Sequence, residues 1–103
     1  MDKVEAVGAL ERFREALERL GVRVDRLVLF GSYAQGTQRE GSDIDVVVVS
    51  EDFEDRSYWQ RIQVLAEAIA EVFEPIEAVA MTPGEWEEGT STIAQFARQG
   101  EVL

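Results

Sequence analysis

The chain has 103 residues with 21 acidic and 10 basic side chains, a formal net charge of −11 at pH 7. That balance argues against tight binding of duplex DNA or RNA, whose affinity comes mainly from Lys and Arg neutralising phosphates, and favours a basic protein partner. With no cysteine and no histidine, disulfides, thiolate or imidazole metal sites and Cys or His catalysis are excluded, so chemistry must run on carboxylates and hydroxyls.

An apolar fraction of 46% gives the chain enough surface to bury to offset its ordering entropy, and its length suits a single domain over 1–103. The start, Met1-Asp2-Lys3, precedes no apolar run of signal-peptide or membrane-spanning type, and the expected compartment is the cytoplasm. No repeat or low-complexity tract interrupts the pattern.

Val4, Val7, Leu10, Phe13, Leu17 and Leu20 recur at helical spacing opposite Glu11, Arg14, Glu15, Glu18 and Arg19, predicting an amphipathic helix. Asp2 with Glu5 forms a capping box at its start, and Gly21 suits the left-handed residue after its end. Val22 to Phe30 begins alternating and becomes continuously apolar, as a strand entering a sheet from its solvated end does. It stops at Gly31-Ser32. Tyr33 to Gly41 is polar, holds two glycines and has room for one helical turn, and Ser42 to Ser50 reads as a second strand.

A charged connection, Glu51 to Arg56, leads to Ser57 and Gln60, a second capping box opening a helix with Ile62, Leu65, Ile69 and Phe73 on one face. Pro75 to Met81 is a short third strand. Thr82, Pro83 and Glu85 then mark a helix start that runs to Gly89. Thr92 with Gln95 opens a last helix carrying Ile93, Phe96 and Ala97 until Gly100. This order predicts a small α/β sandwich, with a mixed sheet of three strands or slightly more and helices packed on one face. The other face would then be open.

In the second strand, Asp43 and Asp45 point to one face about 7 Å apart, with Ile44, Val46 and Val48 on the other. Two neighbouring carboxylates repel, and a divalent ion with oxygen ligands would relieve them; a solvated strand end is the plainer reading. Gly31-Ser32 joins a strand to a helical turn, a geometry whose free N–H groups and hydroxyl suit a phosphate, although a simple turn glycine with a capping serine would look the same.

Taken together, Gly31-Ser32-Tyr33-Ala34-Gln35-Gly36, then ten residues from Ser32 to Asp43-Ile44-Asp45, closely resemble the signature of the minimal nucleotidyltransferases of the DNA-polymerase-beta-like superfamily. The ending Gly100-Glu101-Val102-Leu103 also looks like that family's. The resemblance implies that Gly31 and Ser32 grip the triphosphate of ATP and that Asp43 and Asp45 hold two magnesium ions. A third carboxylate of the family, usually aspartate, falls on Glu77, one methylene longer.

The implied reaction is attack of an acceptor hydroxyl on the α-phosphorus of a nucleoside triphosphate, with Asp43, Asp45 and Glu77 as catalytic and metal-binding carboxylates. Such proteins pair with a helical HEPN-domain toxin, act as its antitoxin and add AMP to it. The alternative is a catalytically weak module that neutralises a partner by binding. Because Val47, Val49, Val79 and Met81 share the carboxylate face, a partner or a second copy of the chain is expected to cover them.

Among the remaining candidates, Arg39 is read as a solvated loop arginine able to touch a polyphosphate. Tyr33 is read as an exposed turn residue, with stacking on a base the other reading. Phe13, Phe73 and Phe96 are expected in the core, Trp59 and Trp86 in core or rim, and Glu85, Glu87 and Glu88 on a solvated helix face.

Overall fold

A computed structural model describes all residues, Met1 to Leu103. Helix α1 covers Lys3–Arg19, and its start is set by the expected reciprocal bonds between Asp2 and Glu5. The first strand, β1, is Arg26–Phe30, shorter than the apolar pattern suggests. Before it, Arg23 gives its N–H to Asp52 and its carbonyl accepts from the Ser50 hydroxyl, so side chains there take the place of a sheet ladder.

A single turn of helix, α2 at Ser32–Gln35, leads through the loop to β2 at Ile44–Val49. After a 3-10 turn at Glu51–Phe53, helix α3 spans Tyr58–Val72 from the capping box of Ser57 and Gln60. Then follow β3 at Ile76–Met81, α4 at Pro83–Glu88, α5 at Thr92–Ala97 and β4 at Glu101–Val102. Helix α4 has the expected Thr82–Glu85 box and ends at left-handed Gly89, whereas α5 is capped by Ser91 and not by Thr92.

The four strands form one mixed sheet in the order β3-β2-β1-β4. β1 is antiparallel to both β2 and β4, and β2 runs parallel to β3. The α/β class and mixed sheet therefore hold, with β4 as the added strand. Its position depends on Gly100, where a Cβ would run into the Leu29 carbonyl oxygen and stand 3.0 Å from that of Ala97.

Leu27, Leu29, Ile44, Val46, Val48 and Ile76 face the main core, where they meet Leu10, Phe13 and Leu17 of α1 and Val64, Leu65 and Ala68 of α3. The opposite face is not left open to a partner, which corrects the expectation of helices on one face only. Trp86 of α4 and Ala94 and Ala97 of α5 pack on Val28, Val47, Val49 and Met81, so the chain covers most of that face itself.

Two aromatic assignments also change. Phe73 is 91% exposed and Phe96 64% exposed, while Phe13 is fully buried. Phe73 falls one residue past α3, at φ 58°, where the helical face no longer continues. Trp86 is buried and Trp59 exposed.

Candidate active site

The turn after β1 is made possible by Gly31, which adopts φ 74° and ψ −151°, a conformation essentially reserved for glycine. A Cβ here would penetrate the Asp45 carboxylate and stand 3.1 Å from its Cγ. The glycine thus serves two ends: it reverses the chain, and it lets the backbone lie directly against the carboxylate. Having no side chain, Gly31 cannot cap α2, so the first N–H groups of that turn, from Ser32 onward, keep no side-chain acceptor. Gly36, left-handed at φ 75°, ends the turn, and the Ser42 hydroxyl accepts the Arg39 N–H at 2.8 Å, folding the loop back toward β2.

Asp45 is the second residue of β2 and is half-buried. Across the parallel pair it stands opposite Glu77 of β3, and on its other side it is in register with Phe30 of β1. Burial raises the Asp45 carboxyl above the ordinary aspartate range; the neighbouring charges of Glu77 and Asp43 push it the same way, as does a hydrogen bond with Glu77. Asp43 is exposed and lies one residue before β2.

The structure sets Asp45 opposite Glu77 and Gly31 against Asp45, with Ser32 next in the chain and Asp43 adding its charge from the strand entrance. The three carboxylates do not close into a ready ligand cage. None of the molecule's four ion pairs reaches them, so no Lys or Arg offsets their charge. Acidic oxygen donors with a raised carboxyl and no cation beside them fit a hard divalent ion such as magnesium.

Phe30 was not singled out from the sequence. It is partly buried on the carboxylate face next to Val28, in register with Asp45. The alternation of Val28 and Phe30 along β1 is the signal that places it there. Tyr33, by contrast, is 2% exposed and belongs to the main core, so it has no surface for stacking on a base. Arg39 is exposed, and its side chain makes no ion pair.

Residues 10–94 match the model of the nucleotidyltransferase domain. The chain belongs to that family. Within this nucleotidyltransferase domain, 48 residues are 44% identical to the protein adenylyltransferase MntA of Shewanella oneidensis, covering 46% of this chain and 34% of that protein. The match therefore spans about a third of that relative's length. A solved structure from Sulfolobus solfataricus that carries a provisional nucleotidyltransferase name superposes with a TM-score of 0.74 at 15% identity, over 97% of this chain and 80% of the other. A toxin–antitoxin structure with AMP-PNP superposes with a TM-score of 0.64 at 22% identity, over 89% and 69%. These two likenesses establish the fold, and no helix of the nucleotidyltransferase domain is long and apolar enough to cross a membrane.

Proposed function

We propose that the protein transfers AMP from ATP to a hydroxyl of a protein partner, with magnesium bound at Asp43, Asp45 and Glu77. The observation that carries this reading is the close approach of the Gly31 turn to Asp45, which stands opposite Glu77 across the parallel pair. Gly31 and Ser32 bind and orient the polyphosphate through backbone N–H groups and the Ser32 hydroxyl. Asp43, Asp45 and Glu77 would hold the metal ions, whose charge would offset that of the polyphosphate.

Glu77 accepts the proton of the acceptor hydroxyl, whose oxygen bonds to the α-phosphorus as the bond to the bridging oxygen breaks and pyrophosphate leaves. A helical HEPN-domain partner, with this chain as antitoxin, is supported by the likeness to the toxin–antitoxin structure and by a net charge of −11 suited to a basic protein.

The test is transfer of label from α-labelled ATP to protein, beside calorimetric titration of ATP with and without magnesium. Binding and transfer should both vanish in the Asp43→Asn, Asp45→Asn double variant. Unchanged labelling by that variant would sink the proposal. The second reading, a module that neutralises its partner by binding alone, draws on the open spacing of the three carboxylates. It expects the same variant to neutralise as well as the wild type, with ATP making no difference.

A further inference from the structure

Strand β3 is an outer edge of the sheet. The carbonyls of Pro75 and Met81 accept from Ile44 and Ser50, so the odd-numbered residues of this segment turn their backbone groups toward β2. By the alternation of a strand, Ala78 and Ala80 turn theirs outward, with no neighbouring strand to receive them. Edges of this kind are commonly blunted by charges, proline or bulges, because they offer a ready template for another chain. β3 has only one charged residue, Glu77, and two small alanines leave its middle open.

Beyond the edge lies a groove of about 610 Å³. Val79, Ala80 and Met81 form one wall, and Tyr58 and Ile93, both exposed, stand on its margins. Tyr58 is braced edge-on by Trp59 at 5.2 Å between ring centroids. The groove therefore offers both features that extended-peptide recognition requires: free main-chain groups along an edge and apolar surface for alternate side chains.

We propose that the β3 edge takes an extended, basic segment of the acceptor protein as an added strand. This rests on the transfer reading above and specifies how the acceptor reaches the site. Glu77 and Glu88 are exposed along this flank without an ion pair, while Glu85 is tied at 2.8 Å to Arg61, the one cation that lines the groove. A second copy of this chain would bring those carboxylates against their like, whereas Lys or Arg at alternate positions of a strand would meet them.

The position also fits the chemistry. Because Glu77 turns its backbone groups toward β2, a residue opposite it on an added antiparallel strand occupies a non-hydrogen-bonded position, where side chains approach most closely. A Tyr, Ser or Thr there presents its hydroxyl to Glu77 and to the α-phosphate held beside Asp45. The new bond joins that oxygen to phosphorus, the proton goes to Glu77, and pyrophosphate departs.

The test uses the full chain and a short fluorescent peptide alternating Lys and Val around a central Tyr, with fluorescence anisotropy as readout. Binding should fall about tenfold when alternate peptide nitrogens are methylated, which removes the main-chain donors and keeps the charge. Ala80→Pro removes an outward N–H without touching the ladder to β2, and a similar loss is expected. If that variant fails to fold, the methylated peptide decides alone.

Equal binding of parent and methylated peptides would reduce the contact to charge attraction and overturn the proposal. So would failure of the parent peptide to bind, or a concentration-dependent dimer by sedimentation that Ala80→Pro abolishes, since the occupant would then be a second copy. Calorimetric titration of magnesium and ATP runs in parallel. Loss of nucleotide binding in the wild type speaks against the transfer reading, and loss of edge-dependent peptide binding with nucleotide binding intact speaks against this inference alone.

Discussion

Asp45 and Glu77 face each other across the parallel β2–β3 pair with no cationic side chain to separate them. Asp45 therefore has a carboxyl raised by burial first and by Glu77 and Asp43 next. A raised folded-state value means that the contribution of Asp45 to stability is full in acid, below the ordinary value of 3.8, and is lost as pH rises through the folded value. At neutral pH the ionised group costs stability.

Asp45→Asn should accordingly stabilise the metal-free protein at pH 7 by about 0.2–1 kcal/mol, toward the lower end because the site is partly solvated. The gain should fade as pH drops toward 4. Urea unfolding of both proteins in the presence of a chelator, at the two pH values, reads it directly. The same substitution should abolish transfer.

Magnesium should reverse the order of stabilities. An ion that binds the folded wild type and not the unfolded chain raises its melting temperature by mass action, by about 2.7 kcal/mol of stabilisation at a hundredfold excess over its dissociation constant. Asp45→Asn should show little of this shift. Equal shifts in the two proteins, measured by differential scanning fluorimetry across a magnesium series, would place the ion elsewhere.

Gly31→Ala tests the close approach of turn and carboxylate. The substitution forces a Cβ into the Asp45 carboxylate and an L-residue into a glycine-only conformation, at a cost of about 1–3 kcal/mol. Pairing it with Asp45→Ala should recover the part due to collision and leave the part due to the backbone. The double-mutant cycle in chemical denaturation separates the two.

Phe73→Gly should stabilise. Phe73 is left-handed at φ 58° and 91% exposed, so its side chain contributes little packing while its backbone conformation costs about 1–2 kcal/mol. Glycine relieves most of that at the helix end, offset in part by its greater freedom in the unfolded chain. A rise in melting temperature of a few degrees is expected for a domain of this size.

The local signals of the fold were legible in the sequence. The three capping boxes of Asp2, Ser57 and Thr82 stand where the spacing predicts, because each depends on residues three apart. The pairing of Glu77 with Asp45 could be anticipated from the alternation along two strands once those strands were assumed to pair. Long-range features were not readable in this way. Nothing in the local pattern reveals that α4 and α5 turn back over Val47 and Val49, or that two residues suffice for β4. Phe73 and Phe96 show the limit of periodicity: even spacing marks a face but does not say where the helix ends or what lies opposite.

The site's parts differ in how far apart they lie along the chain. Gly31 follows β1 and Asp45 lies on its antiparallel partner β2, fourteen residues on, so this half forms from neighbouring sequence, whereas Glu77 lies beyond α3 and reaches it through the pairing of β3 with β2. Local pairings form quickly and can persist when distant ones open. Sub-global opening that releases β3 would leave the phosphate turn assembled but without its third carboxylate, a state that hydrogen exchange should detect as weaker protection in β3 than in β1.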